Sequence, residues 1–92
     1  MARHYQTNGA AKEVHPKGKT FTTEELQKYV GGYFTPVRLD GNNVMLCCED
    51  AMLRGHKPNV KATEIAAEHR LLHLFGGAVL GDVLIVNNNE WD

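Results

Sequence analysis

The segment Phe21-Thr22-Thr23-Glu24-Glu25-Leu26 constrains this chain more tightly than any other. With Thr22 at the N-cap, Glu25 falls at the third helical position, and the two form a capping box. Phe21 stands just before the cap and Leu26 one turn into the helix, the arrangement of a hydrophobic staple. Glu24 and Glu25 place negative charge at the positive end of the helix dipole. Leu26, Tyr29 and Val30 then recur at i, i+3, i+4 and face a core. Gly31-Gly32 ends the helix with a left-handed cap.

The rest of the chain must fold around that helix. Tyr33–Leu39 and Val44–Cys48 read as strands joined by Asp40-Gly41-Asn42-Asn43, residues that tolerate hairpin turns. The second strand is a continuous apolar run, which predicts burial on both faces. Pro36 has no N–H to give a ladder, so the first strand is predicted at an edge or bulged there. Residues 49–58 read as a loop with Met52 and Leu53 turned inward. Asn59 caps a second helix predicted to run unbroken from Val60 to Phe75, closed by Gly76-Gly77. On a wheel, Ala62, Ile65, Ala66, His69, Leu72 and His73 share one side, while Val60, Ala67, Leu71 and Leu74 share the opposite side. A surface helix carries one apolar stripe. Two stripes in a chain of 92 residues, which buries a modest core, predict a homo-oligomer formed through this helix. Residues 78–86 read as a further strand, interrupted at Gly81-Asp82. Residues 1–19 are polar and predict a loosely ordered arm, with a short strand near Ala11–His15. Residues 87–92 predict a polar tail bearing Trp91. The expectation is therefore one α+β domain over residues 20–86, with a three- to four-stranded, mainly antiparallel sheet and two helices.

Net charge is −1 with the five histidines counted neutral. That balance gives no general attraction to nucleic acid or an acidic membrane surface. No apolar run approaches the roughly 18 residues of a membrane span. The start of the chain carries no apolar secretory segment, so a cytoplasmic protein is expected. The two cysteines, Cys47 and Cys48, are neighbours on a predicted strand and point to opposite faces. They are expected as two buried thiols rather than a disulfide.

The run Phe21-Thr-x-Glu-Glu-Leu-Gln-x-x-Val-Gly-Gly-Tyr33, a hairpin, Glu49, Gly55 with Pro58-Asn59, Ala62-Thr63, and Gly81-Asp82-Val83-Leu84 resembles a small bacterial and phage family catalogued as domain of unknown function 3846. The resemblance covers about residues 13–86. It implies a compact α+β unit of the kind carried by phages and mobile elements, with no assigned activity, no catalytic residue and no cofactor. The family tends to carry Gly-Leu-Pro-x-Asn where this chain has Gly55-His56-Lys57-Pro58-Asn59.

Within the chain, Arg54, His56, Lys57 and Asn59 form the first candidate ligand site. They offer two fixed positive charges, an imidazole and the N-terminus of the second helix, a natural place for an anion. His69 and His73, four apart, are spaced to share a metal from successive helical turns. They are also spaced as ordinary interface histidines, because Arg70 stands where a zinc-protease motif needs Glu. Cys47 and Cys48 fit core packing better than redox chemistry, since no basic neighbour lowers a thiol pKa. Asp82 reads as turn chemistry or a general base, and Tyr29, Tyr33 and Phe34 as core or a base-stacking platform. The leading expectation is a non-catalytic accessory binding protein, anti-defence in purpose, that sequesters a small anionic nucleotide-derived ligand. Two alternatives stand beside it: a module that inhibits a host protein, and a metal-dependent enzyme using His69 and His73.

Overall fold

The structure, a computed structural model, describes residues 2–91. Five strands form one antiparallel sheet: β1 (Ala2–Tyr5), β2 (Ala11–Val14), β3 (Phe34–Arg38), β4 (Asn43–Cys48) and β5 (Val83–Asn87). Their spatial order is β2-β1-β5-β4-β3. Helix α1 (Thr23–Val30) lies on one face of the sheet. Helix α2 (Val60–Glu68) and a 3₁₀ turn (Leu72–Phe75) lie on the other.

The three layers follow from the alternation of strand residues between faces. Val44 and Leu46 of β4, with Leu84 and Val86 of β5, pack with Phe21, Leu26 and Val30 under α1. The intervening Met45 and Cys47, with Val83, pack with Ala62 and Ala66 of α2. β4 is therefore buried on both faces, as its apolar run predicts. Both bonds of the Thr22–Glu25 capping box form, and Gly31 closes α1 at φ 83°. In the β3–β4 hairpin, Asp40 accepts the backbone N–H groups of Asn42 and Asn43, each at 2.9 Å. Those bonds hold its carboxyl below the usual carboxylate range.

Pro36 lies on an edge strand. The bonds Glu49 N–H to Tyr33 O and Leu39 N–H to Asn43 O fix which β3 residues bond inward. Alternation then places Pro36, opposite Leu46, at a position whose backbone faces away from β4. A missing N–H costs the sheet nothing there.

The ends of the chain differ from expectation. Residues 2–14 form a hairpin, β1–β2, instead of a loosely ordered arm with one short strand. With β1 paired to β5, the sheet has five strands, not three or four. The turn is held by Gln6 N–H to Ala10 O at 2.8 Å and by Asn8 Oδ1 accepting the Ala10 N–H at 2.9 Å. Residues 87–91 are likewise tied in. Phe21 N–H donates to Glu90 O at 2.7 Å, and Trp91 sets its ring edge to Phe34 with centroids 6.1 Å apart. Met1 and Asp92, the outermost residues of the expected arm and tail, lie outside the described residues.

The second helix is shorter than predicted. It ends at Glu68, and Arg70 adopts φ 59°. Leu71 N–H returns to Ala66 O at 2.8 Å and Arg70 N–H to Ala67 O at 3.0 Å, which is a Schellman cap built on arginine instead of glycine. The unbroken rod of residues 60–75 is thus absent. Its second apolar stripe, on which the expected contact between copies rested, is dispersed: Val60 and Leu74 are exposed, while Leu71 packs into its own core. Residues 78–82 stand outside the ladder, where Leu80 makes only an isolated bridge to Pro58, and β5 begins at Val83. Met52 and Leu53 turn outward, 78% and 90% exposed, not inward. No helix among the described residues is long and apolar enough to cross a membrane.

Candidate functional site

The four residues of the basic loop take different places in the fold. Asn59 is fully buried. Its Oδ1 accepts the Ala62 N–H at 3.0 Å, capping α2. Its Nδ2 donates to the carbonyls of Tyr5 at 3.0 Å and Gly81 at 2.9 Å. The residue ties β1, α2 and the approach to β5 together, and it presents nothing to a ligand. Arg54 Nε lies 2.9 Å from Asp50 Oδ1. That hydrogen bond holds the Asp50 carboxyl below its ordinary range, with a smaller contribution from the Cys48 thiol.

Arg54 and His56 face the other helix. A side chain at Gly32 would meet the Arg54 guanidinium at 3.1 Å, and one at Gly31 would meet His56 Cε1 at 3.3 Å. Both basic groups therefore lie over the C-terminus of α1, the negative end of its dipole, and not at the N-terminus of α2. Lys57 is exposed, and its carbonyl takes the Gly81 N–H at 2.8 Å. Of the expected ligand set, Arg54 and His56 lie together over the C-terminus of α1, Lys57 is exposed, and Asn59 is buried as the cap of α2.

His56 is wedged on its opposite side against Gly81, where a Cβ would stand 3.2 Å from His56 Cγ. Its Nε2 is buried with no hydrogen-bond partner among the described residues. Gly81 also has φ 84°, a conformation that L side chains rarely adopt. Gly81→Ala is expected to destabilise the protein by about 1–3 kcal/mol through strain and overpacking, read as a lower midpoint in urea denaturation. An unchanged midpoint would show that the imidazole yields freely.

A larger hollow than any at the basic loop lies beside the edge of the sheet among the described residues. It is a groove of about 500 Å³ between the β3–β4 edge and the 3₁₀ turn, lined by Thr35, Pro36, Val37, Arg38, Cys47, Cys48, Glu49, Leu71, Leu74 and Phe75. A second hollow of about 300 Å³ shares Cys47, Cys48, Glu49, Leu74 and Phe75 and extends to Met52 and Val79. The Schellman cap creates this space, because ending α2 at Glu68 swings residues 72–75 into a separate turn. Burial pushes the Cys47 thiol up to about 12, with the neighbouring Cys48 adding to the shift. Burial also raises Cys48, whose Sγ lies 3.4 Å from Asp50 Oδ1. Both cysteines are free, and near neutral pH they are protonated, uncharged walls. Arg38 and Glu49 are exposed, and neither makes an ion pair or side-chain hydrogen bond with a described residue.

The other candidates resolve into structure. His69 is the cap residue that follows α2, with Nδ1 2.9 Å from Ile65 O, and His73 stands beyond the break in the 3₁₀ turn. Their helical i, i+4 relation is gone. No group of three or more His, Cys, Asp or Glu among the described residues is placed to hold a metal ion. Asp82 accepts the Thr7 N–H at 2.9 Å and anchors the first hairpin. Tyr29 meets His4 and Phe21 edge-on and Phe34 meets Trp91, so these two pack on the core, whereas Tyr33, expected with them, is exposed.

Sequence reasoning missed Arg38, Leu74 and Phe75 as a group, because only the tertiary fold brings residues 35–38 beside 71–75. No family model, curated protein or solved structure matches the chain.

Proposed function

We propose that this chain is a non-catalytic binding protein whose site is the groove beside β3, where it sequesters a small, largely apolar ligand. The observation that carries this reading is the groove itself: about 500 Å³, walled by Val37, Cys47, Leu71, Leu74 and Phe75, with Thr35 and Glu49 among its polar lining residues. Small-molecule sites have this size and this mix of apolar wall and few polar groups. The thiols of the wall are protonated at neutral pH, and Asp50 is held by Arg54, so no activated nucleophile faces the space. The family resemblance in residues 13–86 supports an accessory setting on a phage or mobile element, with capture of a host-derived small molecule as its purpose.

Octanoate, kept below micelle-forming concentration, is the first probe. Titrated into isotope-labelled protein, it is expected to move the amide signals of Cys47, Cys48, Glu49, Leu71 and Leu74. Leu74 is 58% exposed, so Leu74→Glu is expected to leave the fold intact and weaken octanoate by about tenfold or more, as a charge replaces an apolar wall. Shifts confined to residues 54–57 would return the site to the basic loop. No shift with octanoate or any other small apolar probe would remove the groove reading altogether.

A further inference from the structure

We infer that the groove takes an amphiphilic cation, a molecule whose hydrocarbon part lies on the apolar wall and whose ammonium group meets Glu49. This deepens the groove reading and rests on it. The strand register places the carboxylate there. Glu49 N–H donates to Tyr33 O at 2.8 Å, so the ladder runs one residue past β4. Alternation then sets Glu49 on the same face as Met45 and Cys47, which pack with Ala62 and Ala66 of α2. Thr35 and Val37, opposite Cys47 and Met45, share that face. Leu71 and Phe75 pack against it from beyond the end of α2. Arg38 stands opposite Val44, which packs under α1, so its side chain belongs to the other face of the sheet.

Glu49 is the charged residue common to both hollows. It is exposed and makes no ion pair or side-chain hydrogen bond with a described residue. The charges of the neighbouring loop are satisfied between themselves, with Arg54 closed on Asp50 at 2.9 Å. Burial raises both thiols of the wall, so Cys47 and Cys48 add no charge near neutral pH. The groove face therefore sets a single negative charge beside an apolar wall. An anionic head group meets like charge there, and a neutral one leaves the carboxylate as it was. An ammonium group gains a charge-assisted hydrogen bond. Thr35, at the next same-face pair of the ladder, carries a hydroxyl oxygen that can accept a second ammonium N–H.

The test compares three probes of equal chain length near neutral pH: octylamine, octanol and octanoate. Each is titrated into the full chain and followed by the amide signals of Cys47, Glu49, Leu71 and Leu74. Octylamine is expected to bind about fivefold tighter than octanoate, with octanol between them, a modest ratio because the carboxylate is exposed. Raising the salt concentration should narrow that spread. Glu49→Gln keeps the backbone bond to Tyr33 and should make the three affinities nearly equal, with octanol unchanged. Glu64→Gln removes an exposed carboxylate of α2 outside the groove and should leave the order intact. Equal affinities in the wild type, or octanoate binding tightest, would overturn the cationic ligand and leave the groove as a plain apolar site. So would an amine preference that survives Glu49→Gln or disappears with Glu64→Gln. Absence of any groove shift with all three probes overturns the groove reading itself.

Discussion

Asn59→Ala is expected to cost about 4 kcal/mol, a large share of the stability of a domain this size. Two losses combine. Removing the cap of α2 costs about 1–2 kcal/mol. Removing Nδ2 strands the carbonyl of Gly81 beside a fully buried side chain and takes a second donor from that of Tyr5, which keeps its ladder pairing with Val83, at roughly 1–3 kcal/mol for the group left unsatisfied. Asn59→Ser separates the two, since a hydroxyl can still cap the helix but cannot reach both carbonyls. It is expected to fall between the wild type and the alanine variant in urea denaturation. A loss below 1 kcal/mol for alanine would mean that water replaces the amide without penalty.

Alkaline pH should unfold the protein early, and Cys47 supplies the cause. An unfolded thiol ionises near pH ~8.5, whereas burial holds Cys47 protonated up to about 12. Between those values the unfolded chain has released a proton that the folded chain keeps. Stability therefore falls as pH rises, by about 1.4 kcal/mol per pH unit, and it is undisturbed below that window. Cys48 shifts in the same direction and steepens the fall. The check is the denaturation midpoint at pH 8, 9 and 10 in the wild type and in Cys47→Ala. The variant is less stable throughout because a cavity replaces the thiol, but its dependence on pH should be flatter. Parallel curves would sink the prediction.

How legible each element is in the sequence follows from how local its causes are. The start of α1 is readable because capping box, staple and glycine stop all lie within Phe21–Gly32. β4 is readable because both of its faces are buried, so Val44–Cys48 is an unbroken apolar run. The end of α2 is not, because a left-handed residue normally announces itself as glycine or asparagine, and here it is Arg70. The first hairpin has an Asn8-Gly9 turn of the right chemistry, but Arg3, Lys12 and Glu13 give its strands no apolar alternation. At the site, the charges of Arg54 and His56 are visible in sequence, but the groups they serve are residues 31 and 32, far back in the chain. The groove is less visible still, since Val37 belongs to β3, Cys47 to β4 and Leu74 to a turn that exists only because α2 stops early.

The two rims of the sheet are unequal partners for self-association. On β3, the proline leaves outward amides only at Phe34 and Arg38, so a copying strand cannot zip along it. On β2, Ala11–Val14 lacks any such interruption and is guarded only by the charges of Lys12 and Glu13. Stacking of molecules under stress, in acid or on partial unfolding, should therefore begin at the N-terminal rim, leaving the groove side open.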